Sequence, residues 1–293
     1  MIDDSMENTR EKENTYRLLT NIRNLPSLPA IIFEVSKMLN NSQTSASDLG
    51  KIIGKDQGLV AKILTVANSP LYGLPRRVAT VEFAIVILGF DHIKNIVMAI
   101  SMIEAFKGKD KSNWDNKSYW NHTLFTATAA KGIADELGYS KSGEVFTAAL
   151  LHDLGISVIQ RYFNVEFNNI CRLVDEQQMR YLIAEEKTLG ITHQEIGKFL
   201  IDRWNLPEAL GETIATHHQP SKAENNTVLS SIVHLADYMT QRIGAGCFYW
   251  DENMQLDENI IDILKFGDKA RLNDFIEAHE QIFKEQSSEL IYL

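Results

Sequence analysis

The chain has 293 residues, of which 44% are hydrophobic and 23% charged, with a formal charge of −10. That size can bury a large core, and the acidic balance excludes sequence-independent attraction to nucleic acid. Two cysteines without CxxC spacing, Cys171 and Cys247, exclude a disulfide framework and a zinc knuckle.

Residues 1–14 are polar and charged, unlike a secretory leader. No apolar run approaches the roughly 18 residues that cross a bilayer. A soluble cytoplasmic protein with no membrane or nucleic-acid partner is expected. Ser27 and Pro29 read as an N-cap and an early helical proline before Ile32, Val35, Met38 and Leu39 at helical spacing. Ile52, Ile53, Leu59, Val60, Ile63 and Leu64 continue that pattern up to Asn68-Ser69-Pro70. Thr80 and Asp91 read as N-caps of two further helices, one ending near Gly89 and the next near Phe106. The polar stretch 107–117 is the best linker.

Beyond it, helices are expected over 119–137, 143–163, 193–204, 207–218 and 227–242, the third opened by the capping box Thr192-His193-Gln194-Glu195. The acidic tail after Gly246 carries Ile260, Ile261, Ile263 and Leu264, which point to one more helix packed on the body. No stretch alternates as a strand does. The expected fold is all-α: a polar extension (1–20), a helical N-terminal lobe (21–108), a second helical lobe (109–245) and a helical tail (246–293).

Five of the eight histidines fall in one ordered series with two aspartates: His122, His152-Asp153, His193, His217-His218 and Asp237. Taken singly, each has an ordinary explanation. The pair at 152–153 can be a buried hydrogen bond, His193 an exposed first-turn ring, 217–218 two frayed rings, and His122 a core histidine. Together they are the ligand types of borderline first-row metal ions. Seven exceed one tetrahedral site and suit two ions sharing a carboxylate, a role that falls to Asp153 in its apolar surroundings. His234, at i, i−3 from Asp237, is a candidate support behind the ligands. Lys131 and Arg203 are candidate phosphate contacts; His92 and His279 are given no role.

The order H…HD…H…HH…D resembles the HD-domain superfamily of metal-dependent phosphohydrolases, and its doubled histidine is similar to the HD-GYP cyclic-di-GMP phosphodiesterases. Leu25-Pro26-Ser27-Leu28-Pro29, Ala61-Lys62-Ile63-Leu64, Ala67-Asn68-Ser69-Pro70-Leu71-Tyr72-Gly73 and the stretch from Ala84 to Leu88-Gly89 resemble the HDOD domain of bacterial signalling proteins. The likeness covers about 25–241. It implies an HD-type metal-binding lobe with two divalent transition ions, iron or manganese first and zinc as a further option. His122, His152 and Asp237 would hold one ion, and His193, His217 and His218 the other. Asp153 would bridge them as the catalytic carboxylate. A phosphate ester or nucleotide is the implied substrate and a signalling protein the implied partner. Two departures from the HD-GYP pattern, Ile156 in place of lysine and Gln219-Pro220-Ser221 in place of Gly-Tyr-Pro, argue against cyclic-di-GMP as substrate. The rival class is a non-catalytic output module that binds other proteins and keeps a structural or vestigial metal site.

Overall fold

The computed structural model describes all residues except 1, 23, 24, 28, 40–42, 70–73, 75, 107–114, 246, 247, 249, 251, 252 and 291–293. The helices are α1 (Ile2–Asn21), α2 (Ala30–Leu39), α3 (Ala46–Ile53), α4 (Gln57–Ala67), α5 (Val81–Leu88), α6 (Phe90–Phe106), α7 (Asn116–Glu136) and α8 (Ser142–Leu151). They continue as α9 (Leu154–Tyr162), α10 (Asn164–Gln177), α11 (Tyr181–Leu189), α12 (His193–Arg203), α13 (Glu208–Thr216), α14 (Thr227–Arg242), α15 (Ile260–Ile263) and α16 (Lys269–Leu290), with a 3-10 turn at Pro220–Lys222. Among the described residues there is no strand, as the 3.6-residue periodicity requires.

Capping chemistry sets the early boundaries. The pattern that reads as one run through 52–68 is two helices. Gly54 ends α3, and the Asp56 carboxylate caps α4 by accepting the Leu59 N–H at 3.0 Å. Asn68 closes α4 and fastens the returning chain. Its amide donates to the carbonyls of Leu64 (2.7 Å) and Val78 (2.8 Å) and accepts the Val78 N–H (2.7 Å). Thr80 caps α5 as expected. Asp91, by contrast, lies within the first turn of α6, because Gly89 at φ +86° makes the corner between the two helices. Ser27 also lies upstream of its expected position, since α2 begins at Ala30. The Pro70-Leu71-Tyr72-Gly73 motif, most of the linker and Cys247 lie outside the described residues.

Three further differences bear on the site. The expected helix over 143–163 is broken at His152-Asp153, and both residues sit between α8 and α9. By length and composition 142–162 does reach the threshold of a membrane-crossing stretch, but 83% of its 18-residue window is buried in the protein core. Residues 2–21, expected as a mere extension, form a helix that packs on α11. The Thr15 hydroxyl donates to the Leu189 carbonyl at 2.7 Å, and Leu19 is fully buried. In the tail, Ile260 is buried on α15 against α14, and α16 packs on α7 and α14.

α7 packs against α8 and α14, α8 against α13, α9 against α12, and α12 against α13. α9 and α12 meet backbone to backbone. A Cβ on Gly155 would lie 2.0 Å from the His193 carbonyl oxygen.

Candidate metal centre

Every residue of the ordered series arrives at one place. His122 comes from the middle of α7, His152 and Asp153 from the α8–α9 break, and His193 from the first position of α12. His217 and His218 follow the end of α13, and Asp237 lies on α14. Six of the seven are fully buried, and His218 is 7% exposed.

The two oxygens of Asp153 look in different directions. Oδ2 lies 3.2 Å from His152 Nε2 and 3.7 Å from His122 Nε2, while Oδ1 lies 3.5 Å from His193 Nε2 and 3.7 Å from His217 Nε2. Asp237 Oδ1 joins the first side, 3.3 Å from His122 Nε2 and 3.5 Å from His152 Nε2. His218 Nε2 joins the second, 3.3 Å from His193 Nε2. His122, His152 and Asp153 therefore form one compact group of ligand atoms and His193, His217 and His218 another, with His152, His217 and Asp237 a third that joins the two sides.

Tautomers follow from the groups behind the rings. His152 Nδ1 faces the Ala149 carbonyl at 2.6 Å, and His217 Nδ1 faces the Ile214 carbonyl at 2.7 Å. A carbonyl only accepts, so each Nδ1 carries a hydrogen, and in the neutral ring each Nε2 presents a lone pair. His193 Nδ1 donates likewise to Glu185, at 2.9 Å from Oε2. The His193 and His217 Nε2 atoms, 3.4 Å apart, thus face one another as acceptors. Both oxygens of Asp153 and Asp237, both nitrogens of His122 and the Nε2 of His152 have no hydrogen-bond partner. So many buried acceptors turned on one another are costly unless a cation lies between them. The residues present fit bound metal.

The protein's own electrostatics call for positive charge beside Asp153 and Asp237, which a proton on His152 Nε2 or a bound cation would supply. Burial opposes charge on His152, yet the Asp153 and Asp237 carboxylates hold its pKa well above the ordinary imidazole value. Burial pushes His217 well below that value, reinforced by His218, His152 and His193. Against the cost of burial, the neighbouring His152 keeps both carboxylates ionised, Asp237 most strongly.

A cavity of about 550 Å³ opens beside the second group. Of the seven residues only His218 lines it, together with Gln194, Arg180, Lys222, Tyr181 and Trp250 among others. His234 stands behind the centre: its Nδ1 donates to the His217 carbonyl at 2.7 Å, and its Nε2 accepts the Asp257 N–H at 2.8 Å. The two cations singled out from sequence are spent elsewhere. Lys131 pairs with Asp135 at 2.6 Å, and Arg203 donates to the carbonyls of Leu19 and Thr20 at the end of α1. Sequence reasoning passed over Glu185, which is fully buried behind His193, and Trp250, whose indole N–H donates to Glu185 at 2.7 Å.

Residues 25–220 match the HDOD domain family. An uncharacterized protein of Treponema pallidum (strain Nichols) is 26% identical over 218 residues, covering 74% of this chain but 42% of the relative's length. An HDOD domain protein of unknown function from Geobacter sulfurreducens superposes with a TM-score of 0.72 at 23% identity, covering 97% of this chain and 99% of that one. A structure from Shewanella amazonensis SB2B, provisionally designated a phosphohydrolase, gives a TM-score of 0.69 at 23% identity and covers 93% and 97% of the two chains. At such identities these structures show a shared fold. The match takes in α2 to α6, the His–Asp break and the paired histidines, leaving α1 and Asp237 outside it, and on that ground the chain belongs to the HDOD family.

Proposed function

We propose that this HDOD protein binds two divalent transition ions, iron or manganese, and acts in signal transduction as a metal-dependent hydrolase of a phosphate ester or nucleotide. The observation that carries the reading is the two-sided environment of Asp153, whose oxygens face separate histidine groups. Such a carboxylate would be shared between the two ions. His122, His152 and Asp237 hold the first ion, and His193, His217 and His218 the second. Metal held by these residues would supply activation of a water nucleophile and neutralisation of charge on phosphate oxygens.

The chain's own part is to bind, orient and exclude water. Two carboxylates against two divalent ions leave the buried centre net positive, which favours an anionic substrate. The cavity beside His218 is the route to it, and its volume falls in the ordinary range for small-molecule sites. Arg180 and Lys222 on its wall are drawn into no ion pair among the described residues. Three carboxylates share the wall: Asp257 is tied to Ser221 and Asn259, Glu258 to Lys269, and Glu186 stands with them. Ile156 is fully buried in α9, so no cation stands where the HD-GYP pattern has lysine. Ser221 is held by Asp257 at the 3-10 turn. Slow, unselective turnover is the expected outcome, because positioning sets most of the rate.

The test is elemental analysis of anaerobically purified protein. Assays of iron- and manganese-loaded protein follow, against cyclic-di-GMP, mononucleotides and a chromogenic diester. Two ions per chain with slow diester or nucleotide hydrolysis supports the reading. Rapid, selective cleavage of cyclic-di-GMP overturns the substrate assignment, and a metal-free protein overturns the whole. Two bound ions with no turnover favour a second reading, an interaction module. One observation supports that alternative: Phe83, Val86 and Ile87 on α5 are 42%, 67% and 43% exposed at i, i+3 and i+4 spacing, one apolar face of the kind that partners cover.

A further inference from the structure

We infer that Glu185 is the positioning residue of the second ion, with Trp250 as its lock; this rests on the dinuclear reading above. The three rings of the group His193, His217 and His218 are not supported alike. Behind His217 stands the backbone carbonyl of Ile214, whereas behind His193 stands a carboxylate. Glu185 Oε2 accepts the His193 backbone N–H at 2.7 Å and its Nδ1–H at 2.9 Å. The same side chain thus fixes the first residue of α12 and aims its Nε2 at the centre. A carboxylate behind a ligating imidazole settles the tautomer and raises its donor strength more than a neutral carbonyl does.

The second oxygen of Glu185 accepts the Trp250 indole N–H at 2.7 Å. A fully buried carboxylate is expensive, and these three donors are what make it tolerable. The indole itself is clamped. It stacks on Tyr181 with ring centroids 4.2 Å apart and on Phe167 at 5.4 Å. Tyr181 and Trp250 also line the cavity. One continuous chain of contacts therefore runs from the cavity wall through Trp250 and Glu185 to a ligand of the second ion, while the first ion's ligands lie on the other side of Asp153.

The arrangement makes a selective claim: weakening Glu185 should release one ion and spare the other. Full-length protein would be stripped with chelator and titrated with Mn(II), with binding read by calorimetry and spin coupling by electron paramagnetic resonance. For Glu185→Gln one of the two Mn(II) affinities is expected to fall about 10–100-fold with the other unchanged, and the coupled-pair signal should give way to an isolated-ion spectrum. Trp250→Phe keeps the stacking and deletes the N–H, and should shift the same affinity by the lower end of that range. Wild-type protein that binds two Mn(II), with Glu185→Gln matching it in both affinities, overturns the inference and leaves the dinuclear reading standing. Equal loss of both ions also overturns it. Should Glu185→Gln fail to fold, an unchanged Trp250→Phe decides against the inference. Wild-type protein that takes up no Mn(II) pair overturns the dinuclear reading itself.

Discussion

Gly155→Ala is the smallest change that strikes the centre without touching a ligand. The added Cβ would lie 2.0 Å from the His193 carbonyl oxygen, 2.7 Å from its carbonyl carbon and 3.0 Å from its Cα. Ordinary contact begins at 3.4 Å, so α9 and α12 must part by about 1.4 Å at this point, the difference between 3.4 and 2.0. Both sides of the clash are backbone, and no side-chain rotation relieves it. Overpacking of this kind costs about 1–3 kcal/mol. The same displacement carries His193 several times farther than the roughly 0.2 Å that metal–ligand distances tolerate. Gly132→Ala is the matched control. No heavy atom lies within 4 Å of its Cβ position, on the exposed face of α7, and alanine there should add about 0.5–1 kcal/mol. Urea unfolding followed by circular dichroism, with metal measured per chain, reads both effects. A Gly155→Ala protein that matches wild type in midpoint and metal content would refute the argument that this contact sets the place of His193.

Asp153→Ala should hold fewer than two ions and, when metal-loaded, melt below His92→Ala, because metal bound only by the folded state adds to its stability. Equal melting temperatures and equal metal contents would count against a bridging carboxylate. Asn68→Ala deletes three hydrogen bonds to the backbone of Leu64 and Val78 and should cost about 1–3 kcal/mol with metal content intact. Loss of metal would mean that this motif does more than fasten the α4–α5 segment. Glu212 accepts the N–H groups of Glu224, Asn225 and Asn226. Against the opposing effect of burial, these donors hold its pKa below the ordinary 4.5. A depressed folded-state pKa gives stability that is present above 4.5 and lost as pH falls through the folded value. Glu212→Gln should therefore be less stable near neutrality and lose less on acidification. Wild-type and variant stability curves that run parallel from pH 6 to pH 3 would exclude the effect.

The all-helical fold was legible because apolar residues recur at three- and four-residue spacing in α2, α3 and α4, a pattern that needs no tertiary knowledge. The break at His152-Asp153 was not. Neither glycine nor proline marks it, and the residues around it are apolar enough to read as one helix. Helices α10 and α11 escaped because few of their positions are buried, Ile170 and Leu173 on the first and Ala184, Glu185 and Leu189 on the second. Glu185 escaped with them, since in sequence it is one more acid beside Glu186 and Lys187, and only burial behind His193 sets it apart. The order of the histidines and aspartates was readable. Which oxygen of Asp153 faces which ring was not, because that depends on the approach of α9 to α12 and of α14 to α7.

His122 and Asp237 lie 3.3 Å apart in space and 115 positions apart in the chain, from 237 less 122. The first group of ligands therefore closes only when α14 has folded back onto α7 across everything between them. Contacts of such separation form late, after the loop-closure entropy of the intervening chain has been overcome. The adjacent pairs 152–153 and 217–218 exist from the moment of synthesis, but neither is a binding site by itself. On the dinuclear reading, capture of the first ion is consequently an event late in folding, whereas the second group, from His193 to His218, closes within 25 positions.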